Sequence, residues 1–501
     1  MTLVCAHRGD SSRFRENTIA AIRSAISHGA DLVEIDVRLS TDDEVIVLHD
    51  ATTERLWGRE ANTVHQTLAE IRALGFDDTR IPTLAEVLEL FIGTEVSIMI
   101  DMELPDPASP AFKITEASGL PSSQITWCGA LEGMKIIRSL SETARILLPW
   151  NEPGLPPVAL LNEVRPEFIN LHYSYLNSPA VEAIHNAGYK VSLWTIDDQP
   201  NMRWAKAIGV DSVTSNQLEL LQKTLTENED FKVQPRMAKL GEIDLDRAED
   251  VARELAKWAI MVCNFMKPGK VKSKTNPADL VTEVDLWIET HVREVIAANF
   301  PDHILVGEEQ GGESIADVPT WYLDPVDGTT NFANQIPWSS MSLSLALNQT
   351  PLVGVTIDPW RNEIYEARSG RGAKLNGKEL RLRTEVEVDN PLAGKVVLTE
   401  LAAYQPWPGM LDLLAGLAAN YCTMRIMGAG TLTLTSIAAG HGIGAVIGNF
   451  SPIDHLAAAL IVHEAGGIVL DESGAVNLFP QQGGILVAAP IAAQALYALW
   501  I

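Results

Sequence analysis

The chain has 501 residues, with 38 Lys plus Arg against 65 Asp plus Glu, and therefore a formal charge of −27 at pH 7. This excess of acid argues against nonspecific nucleic-acid binding, which needs clustered cations to displace counterions. At roughly 150 residues per domain, the length excludes a single small fold and predicts about three domains or two large ones. With 46% hydrophobic and 21% charged residues, the composition is typical of a globular protein.

Cysteine usage and the amino-terminal segment bear on the cellular compartment. The four cysteines lie far apart, at positions 5, 128, 263 and 422, without a CxxC motif or a Cys/His ligand pattern. We therefore expect no disulfide framework and no structural zinc. The start, MTLVCAHRGD, lacks the basic and apolar regions of a secretion signal, and no run of about 18 apolar residues occurs. These features predict a cytoplasmic protein that does not interact with membranes.

The first half alternates short apolar segments with helical patterns. The strand candidates are LVCAHRG, DLVEIDVRL, EVIVLHD, VSIMIDME, SQITWCG, ARILLPW, FINLHY, KVSLWTI and DSVTS. Such alternation indicates βαβ units, and eight or so strands in about 225 residues favour a closed α/β barrel. Nine candidates are one more than the eight strands of such a barrel. The LSTDDE connection is too short for a parallel crossover, so we expect the second and third segments to form a hairpin-like excursion.

Charged side chains cluster at the ends of these predicted strands. Glu34 and Asp36 lie two apart on one strand and therefore point the same way, as do Asp101 and Glu103. Chemistry in a parallel barrel gathers at the carboxyl ends of strands. Carboxylates so close together need a divalent cation between them, and hard oxygen ligands favour Mg²⁺ or Ca²⁺. Two histidines at strand ends could then act as acid and base on a phosphodiester. Taken singly, each of these residues is explained equally well by an ordinary solvated strand end.

The order and spacing of these segments resemble the glycerophosphodiester phosphodiesterase family. The resemblance covers about residues 3–222, through HRG, ENT, GAD, E-x-D, HD and PTL-E-L, followed by VSLWTID and GVDSVTSN. It implies a TIM-type barrel that cleaves small phosphodiesters and binds one Mg²⁺ or Ca²⁺ ion. The residues that it implies are the acid/base pair His7 and His49, the phosphate-binding Arg8, the metal ligands Glu34, Asp36 and Asp101, and the pocket-wall residue Trp194.

One position departs from that family pattern. Where the family usually has Glu-x-Lys on its fourth strand, this chain has Asp-Met-Glu ending at Glu103, which places a negative charge beside the substrate phosphate. Three explanations are open. Another cation, which is Arg8, Arg38 or His172, compensates for the negative charge of Glu103. Otherwise Glu103 binds hydroxyl groups of a sugar-like head group, or it recruits additional metal. A further alternative is a degenerate barrel that binds or regulates without catalysis.

The chain divides near its middle. The stretch TLTENEDFKVQPRMAKLGEI, residues 224–243, is polar and aperiodic and contains a proline. We predict a barrel domain over 1–225, a linker over 226–241 and a second domain over 242–501. The second half opens with the amphipathic helices DLDRAEDVARELAKWAIMVCNFM and LVTEVDLWIETHVREVIAANF. The segments SSMSLSLALN, LVGVTIDPW and NEIYEARSG follow with only turns between them, which indicates an antiparallel sheet in a layered α+β domain.

Acidic residues of the second half surround a Gly-Thr-Thr turn. Glu308 follows an apolar strand, Asp324 and Asp327 lie in WYLDPVDGTTNF, and Asp454 begins the helical run IDHLAAALIVHEAGG. Phosphomonoester hydrolysis needs carboxylates that hold metal ions and activate water. It also needs backbone N–H groups at a helix N-terminus to hold phosphate, and Gly328 would supply one. For each residue alone, a plain turn or a plain N-cap is the alternative.

This half is similar to the inositol monophosphatase family over about residues 242–500, through SKTNPADLVTEVD, GEEQGG, WYLDPVDGTTNF and SPIDHLAAALIVHEAGG. The resemblance implies a layered αβαβα phosphatase with two or three Mg²⁺ ions. In it, Thr329, polarised by Asp285, and Glu308 orient and deprotonate the attacking water, and Lys274 is a nearby cation. The implied metal ligands are Glu308, Asp324, the carbonyl of Val326, Asp327 and Asp454, and the implied phosphate-binding groups are the N–H groups of Gly328 and Thr329.

The specificity wall of the second half departs from that family. Ile453 stands where the family has tryptophan, and Ile447 stands where many inositol phosphatases carry a glutamate that binds ring hydroxyls. The resemblance therefore predicts phosphate-ester hydrolysis without identifying inositol as the substrate.

The two sites together predict consecutive steps. A small glycerol- or sugar-type phosphodiester becomes an alcohol and a phosphomonoester, and the monoester then loses its phosphate. Glycerophosphoinositol fits this scheme, and so does an opine-type sugar phosphodiester. The alternative is a monofunctional phosphatase whose barrel is a binding or regulatory module. The segment MLDLLAGLAANY is either core or the interface of a homodimer.

Overall fold

The computed structural model of the chain describes residues 2–227, 234–266, 269, 271–273, 280–382, 389–402 and 404–501. The chain divides into two compact units, Met1–Glu229 and Asp230–Ile501. The linker predicted over 226–241 spans this division, and its residues 228–233 lie outside the described part. No helix among the described residues is both long enough and apolar enough to cross a membrane.

Nine short strands build the sheet of the first unit. They are β1 Leu3–Ala6, β2 Leu32–Leu39, β3 Val45–Val47, β4 Ser97–Met102, β5 Ile125–Gly129, β6 Arg145–Trp150, β7 Phe168–His172, β8 Lys190–Trp194 and β9 Ser212–Ser215. Eight strands are parallel, and they close into a barrel because β1 pairs with both β9 and β2. The remaining strand, β3, pairs antiparallel with β2. The predicted barrel is therefore confirmed, and so is the hairpin after its second strand.

Helices connect these strands, and several begin at caps that are visible in the sequence. Thr18, Thr83 and Asn177 each accept a hydrogen bond from a backbone N–H in the first turn of the following helix. Such caps satisfy N–H groups that have no partner within a helix. The helices are α1 Ile19–Ser27, α2 Glu54–Trp57, α3 Leu68–Arg72, α4 Leu84–Glu89, α5 Ala108–Ala117, α6 Leu131–Leu140, α7 Val158–Val164, α8 Ser178–Asn186, α9 Gln199–Ala207 and α10 Leu218–Thr226.

Apolar side chains from six strands fill the barrel interior. The packed cluster consists of Cys5, Leu32, Met99, Cys128, Leu147 and Phe168. Side chains two apart on a strand share a face, so Glu34, Asp36 and Arg38 follow Leu32 on the inward face of β2. An apolar interior therefore lies below a polar mouth at the carboxyl ends of the strands.

Strands of the second unit form a seven-stranded sheet, a five-stranded sheet and a two-stranded ribbon within the described residues. The ribbon is β10 Lys272–Ser273 and β11 Leu280–Val281. The first sheet is β12 Ile304–Gly307, β13 Thr320–Asp327, β14 Ser340–Leu347, β15 Thr350–Asp358, β16 Glu363–Arg368, β17 Ala373–Leu375 and β18 Lys378–Leu380. The second sheet is β19 Val396–Thr399, β20 Thr423–Ile426, β21 Gly444–Ile447, β22 Ile468–Asp471 and β23 Ile485–Ala488.

The helices of the second unit lie in three layers around these sheets. They are α11 Leu245–Phe265, α12 Glu283–Asn299, α13 Thr329–Ala333, α14 Met410–Ala419, α15 Gly430–Ala438, α16 Pro452–Glu464 and α17 Pro490–Trp500. Helices α11 and α12 pack on the first sheet, α15 and α16 contact both sheets, and α14 and α17 contact the second sheet and each other. Gly354 on β15 permits the close approach of α16, because a Cβ there would lie 3.0 Å from Ala457 Cα. The predicted αβαβα layering is confirmed.

The first sheet contains the antiparallel pairs that the sequence predicts and one parallel pair that it does not. Strands β14, β15 and β16 pair antiparallel, as their short connections predict. Strand β12 instead joins β13 in parallel. A parallel neighbour places the end of β12 beside the middle of β13, which matters for the second site.

Arg138 offers a test of how the barrel is held together. Its side chain on α6 is buried and donates hydrogen bonds of 2.6–3.0 Å to five backbone carbonyls, those of Ser141, Glu142, Ala144, Val164 and Arg165. We expect Arg138→Met to lower the free energy of unfolding by about 3 kcal/mol, because buried carbonyls lose their partners. Urea denaturation followed by circular dichroism measures the loss.

The matched control is Arg23→Met, which breaks an exposed ion pair with Asp78. An exposed pair contributes at most about 1 kcal/mol. Equal effects of the two substitutions would contradict the role given to Arg138.

Candidate functional sites

The first candidate site lies at the mouth of the barrel. Glu34 and Asp36 lie on β2, and Asp101 on β4 stands directly opposite Asp36 in the strand register. His7 and Arg8 follow the end of β1, which pairs with β2 on its other side. Three neighbouring strand ends therefore bring the predicted carboxylates, a histidine and an arginine together.

The carboxylates at this mouth repel one another in a buried setting. Burial, with the charges of Asp36 and Asp101, raises the pKa of Glu34 well above its ordinary value. Burial and the charge of Asp36 likewise raise the pKa of Asp101 to about 7. Hard oxygen donors that repel one another in this way suit a divalent cation. Among the described residues, however, no three Asp, Glu, His or Cys side chains are already arranged as a complete metal-binding group.

Arg8 sits among these carboxylates. Its backbone N–H donates to Glu34 Oε2 at 2.9 Å, its Nε lies 3.1 Å from Asp36 Oδ2, and its Nη1 donates to Glu16 Oε1 at 2.8 Å. Its φ of 57° is in the left-handed region, which costs a non-glycine residue roughly 1 kcal/mol. The guanidinium is therefore held in one place, partly neutralising the carboxylates around it.

The protonation geometry of His7 is fixed by its neighbours. Asn216 Nδ2 donates to Asp197 Oδ2 at 2.7 Å, which turns Asn216 Oδ1 towards His7 Nδ1 at 2.8 Å. The Nδ1 of His7 therefore carries the hydrogen, and Nε2 keeps the lone pair. Burial and the adjacent Arg8 charge lower the pKa of His7, so the neutral ring is favoured.

An ionic chain links His49 to Arg8. His49 Nδ1 lies 2.8 Å from Asp50 Oδ1, and Arg55 Nε donates to Asp50 Oδ2 at 2.5 Å. Arg55 Nη2 donates to Glu16 Oε1 at 2.5 Å, and the same oxygen accepts from Arg8. The hydrogen bond from Arg55 holds the pKa of Asp50 at about 2. An ionised Asp50 can only accept, so His49 donates from Nδ1 and keeps Nε2 for proton transfer.

The structure places a cation against the unexpected Glu103. Arg38 Nη2 forms an ion pair with the Glu103 carboxylate, and Arg38 Nε donates to the backbone oxygen of His49 at 2.6 Å. The Arg38 side chain is 9% exposed, whereas that of Glu103 is 67% exposed. Of the three candidate cations, Arg38 is thus the one that pairs with Glu103. Trp194 contacts His172 edge-on, with ring centroids 5.2 Å apart.

The second candidate site lies where β12 and β13 run side by side. Asp324 and Asp327 belong to β13, and Glu308 directly follows β12 with its N–H on Leu323 O at 3.1 Å. Asp454 lies in the first turn of α16. The parallel pairing of β12 with β13 thus brings Glu308 beside the β13 carboxylates.

These carboxylates also raise one another's pKa. Burial, followed by the charges of Glu308, Asp327 and Asp454, raises the pKa of Asp324 well above its ordinary value. Burial and the charge of Asp454 raise the pKa of Asp327 to about 7. The N–H of Thr431 donates to Asp327 Oδ2 at 2.6 Å and fixes that carboxylate. As in the barrel, buried carboxylates repel one another and offer hard oxygen ligands.

Thr329 lies between two acceptors. Its Oγ1 is 2.9 Å from Val326 O and 3.3 Å from Asp285 Oδ1. Asp285 is fully buried, is held by the N–H and hydroxyl of Thr282, and has a pKa raised to about 6, chiefly by burial. The threonine hydroxyl therefore points its proton away from solvent and leaves its lone pairs for another donor.

Gly328 begins the turn before Thr329. Its φ is +80°, and a Cβ at this position would lie 2.8 Å from Gly428 O. Only glycine accommodates both this conformation and this close approach. Lys274, the predicted nearby cation, lies outside the described residues.

The structure adds residues that sequence reasoning missed. Glu289 is fully buried and accepts the N–H groups of Glu309 and Gln310 at 2.8 and 2.9 Å, so it holds the loop that carries Glu308. It lies four residues after Asp285, on the same face of α12, and that spacing was a usable signal. No such local signal marks Arg55, whose partner Glu16 is 39 residues away.

Comparisons with known proteins match both halves of the chain. The model of the Inositol monophosphatase family matches residues 244–500, and that of the Glycerophosphoryl diester phosphodiesterase family matches residues 7–117. The inositol monophosphatase 2 of Solanum lycopersicum is 36% identical over 237 residues, which are 45% of this chain and 87% of that protein. The Nus factor SuhB of Escherichia coli K12 is 33% identical over 239 residues, 47% of this chain and 88% of that protein.

A solved inositol monophosphatase from Anabaena aligns with 51% of this chain and 96% of its own, at 26% identity and a TM-score of 0.44. Small phosphate esters are the substrates that fit both matched families. The chain belongs to the inositol monophosphatase family and carries a glycerophosphoryl diester phosphodiesterase family domain in the same polypeptide, which makes it a hydrolase of phosphate esters.

Proposed function

We propose that the chain is a bifunctional, metal-dependent hydrolase. The barrel cleaves a small glycerol- or sugar-type phosphodiester to an alcohol and a phosphomonoester, and the second unit removes phosphate from the monoester. The observation that carries this proposal is that each unit combines buried, mutually repelling carboxylates with a proton-transfer or water-orienting group. A barrel kept only for binding has no need of this costly arrangement.

Divalent cations fit both carboxylate sets. In the barrel, Glu34, Asp36 and Asp101 would hold one Mg²⁺ or Ca²⁺ ion. In the second unit, two or three Mg²⁺ ions would be held by Glu308, Asp324, the Val326 carbonyl, Asp327 and Asp454. When bound, such ions neutralise phosphate charge and lower the pKa of water.

In the diester step, Arg8 binds the phosphate and two histidines move protons. His7, neutral because burial lowers its pKa, accepts a proton from the attacking water at Nε2. His49, held through Nδ1 on Asp50, donates a proton from Nε2 to the departing alcohol oxygen. The P–O bond to that alcohol breaks as the bond from the water oxygen forms, so one water molecule is consumed.

In the monoester step, the N–H groups of Gly328 and Thr329 hold the phosphate. The Thr329 hydroxyl, with its proton directed to Asp285 or Val326, turns a lone pair towards the attacking water. Glu308 accepts the proton of that water as the water oxygen bonds to phosphorus. The bond from phosphorus to the alcohol oxygen breaks, and the alcohol leaves after taking up a proton, so one water molecule is consumed. Glu289 is a positioning residue here, because it holds the loop that presents Glu308.

The alternative of a degenerate barrel loses its main support. It rested on the negative charge that Glu103 places near the substrate phosphate. Arg38 pairs with Glu103, so the departure from the family pattern introduces a neutral pair rather than a net negative charge.

Substitutions in the two units should separate the two steps. We expect Glu308→Gln to accumulate a phosphomonoester from glycerophosphoinositol in the presence of Mg²⁺, because only the second step loses its base. We expect His49→Ala to slow diester cleavage by about a hundredfold or more, while inositol phosphate hydrolysis continues. Phosphorus NMR distinguishes diester, monoester and free phosphate in one sample.

The matched controls are Glu313→Gln and His65→Ala, which change exposed side chains outside both sites. If the unmodified protein hydrolyses phosphomonoesters but cleaves no diester of the glycerol or sugar type, the barrel has no catalytic role and the bifunctional proposal is wrong.

Arg55 tests the ionic chain behind His49. We expect Arg55→Met to lower kcat for diester cleavage about tenfold, with KM changed less than twofold, because His49 loses the support of Asp50 without loss of a substrate contact. Arg55→Lys should recover little, since an ammonium cannot bridge both carboxylates as a fork. Arg59→Met is the control, and a change confined to KM would contradict a positioning role.

The raised pKa values predict how stability depends on pH and metal. Asp101 and Asp327 titrate near 7 in the folded chain, above the ordinary 3.8, so the folded state binds more protons between these values. Without metal, the contribution of these two groups to the free energy of unfolding should therefore be largest below about pH 4. It should be lost as the pH rises through 7. Because Mg²⁺ competes with these protons, it should raise Tm more at about pH 8 than at about pH 5.

Differential scanning fluorimetry with Mg²⁺ or EDTA measures this difference. In Asp101→Asn combined with Asp327→Asn, the gain in Tm from Mg²⁺ should shrink at both pH values. An equal Mg²⁺ effect at both pH values in the unmodified chain would count against metal binding by these carboxylates.

A further inference from the structure

A cavity of about 790 Å³ opens beside Asp327 and Asp454 in the second unit. These carboxylates are among the groups proposed to hold metal, and the phosphate would lie at the adjacent Gly328. The cavity is therefore the space in which the alcohol portion of the phosphomonoester lies. Its volume falls within the range of sites for drug-sized ligands and exceeds what a glycerol unit fills.

The wall of this cavity away from the carboxylates is largely apolar. It is formed by Leu401, Tyr404, Trp407, Ile426 and Ile447. Of these, Tyr404 is 57% exposed and Ile426 is 51% exposed, so large apolar side chains stand open to the cavity rim. Exposed apolar side chains gathered at one concave site are typical of ligand contacts.

Several polar groups that border the cavity are already occupied within the protein. The Glu400 carboxylate accepts from Gly428 N at 2.6 Å and from the Thr433 hydroxyl. The Asn331 amide donates to Trp338 O at 2.8 Å and to Met427 O at 2.9 Å. These hydrogen bonds hold the two side chains in the wall and use part of their capacity, which leaves fewer partners for substrate hydroxyls.

Packing fixes the apolar wall in place. The Trp407 indole lies against Gly448, where a Cβ would be 2.3 Å from Trp407 Cγ, and its Nε1 donates to Glu400 O at 3.0 Å. Ile447, which precedes Gly448, is 5% exposed at the end of β21. The glutamate position of inositol phosphatases is therefore filled here by a packed, apolar side chain.

We propose that the second unit, acting as the phosphatase proposed above, takes a phosphomonoester whose alcohol is bulky and partly apolar. A polyol such as inositol would bury hydroxyl groups against this wall without partners, at about 1–3 kcal/mol for each group. An alcohol with an apolar face instead covers Tyr404, Ile426 and Ile447. A sugar that carries an alkyl or aryl substituent has such an apolar face. It is also the kind of alcohol that a sugar-type diester contains.

The test compares two ring alcohols of similar shape. Phosphate release is measured with Mg²⁺ from cyclohexyl phosphate and from inositol 1-phosphate, which differ in the hydroxyls on the ring. We expect a KM for cyclohexyl phosphate that is lower by about tenfold. An equal or lower KM for inositol 1-phosphate would overturn the inference. If phosphate is released neither from these two esters nor from any other monoester, the proposed phosphatase function on which the inference rests is overturned instead.

Variants assign the preference to the wall. Tyr404→Ser and Ile426→Ser alter exposed side chains outside the packed core, and each should raise the KM for cyclohexyl phosphate about fivefold, with a smaller change for inositol 1-phosphate. Ile447→Glu should shift the preference towards inositol 1-phosphate. Tyr421→Ser is the control, because Tyr421 is 81% exposed and lies away from the cavity. An unchanged KM in both rim variants would overturn the assignment.

Discussion

Repulsion among buried carboxylates is the constraint on which both halves of the molecule depend. Ionised carboxylates are costly to bury, and here burial and neighbouring charges raise the pKa of Glu34 and of Asp324 well above the ordinary range. Neither group would remain in place unless rigid elements held it. In the barrel, the carboxylates lie on β2 and β4, which pair in register; in the second unit, two lie on β13 and a third follows β12. The regular strands thus hold mutually repelling carboxylates close together, which suits the divalent cations proposed above.

The two units balance this repulsion with different groups. The barrel uses guanidinium groups: Arg8 lies among the carboxylates proposed to hold metal, Arg55 links Glu16 to Asp50, and Arg38 pairs with Glu103. The second unit relies more on neutral donors, such as the N–H of Thr431 on Asp327 and the groups of Thr282 on Asp285. This difference suits the two substrates proposed above, since a diester carries one negative charge and a monoester carries up to two, for which the proposed divalent ions would supply more of the positive charge.

How much the sequence could predict follows from the range of each interaction. Strand alternation and the short LSTDDE connection predict the barrel and its hairpin, because both are local features of the chain. The shared face of Glu34 and Asp36 follows from the two-residue period of a strand. The pairing of Arg55 with Glu16 and that of Arg38 with Glu103 do not, because these partners lie 39 and 65 residues away along the chain. Barrel closure brings them together, and no local pattern encodes that contact.

The departures from the two family patterns have the same physical character. Glu103 and Ile447 both lie outside the carboxylate sets proposed to hold metal: Glu103 pairs with Arg38, and Ile447 lines the cavity beside Asp327 and Asp454. Phosphate is common to every substrate of such enzymes, so the groups that bind and hydrolyse it cannot change without loss of reaction. The alcohol walls carry the discrimination, which is a difference between the binding free energies of alternative ligands. Exchanges at such positions, with Glu103 paired to Arg38 in one unit and Ile447 buried in the other, can therefore alter the substrate while leaving the hydrolytic groups in place.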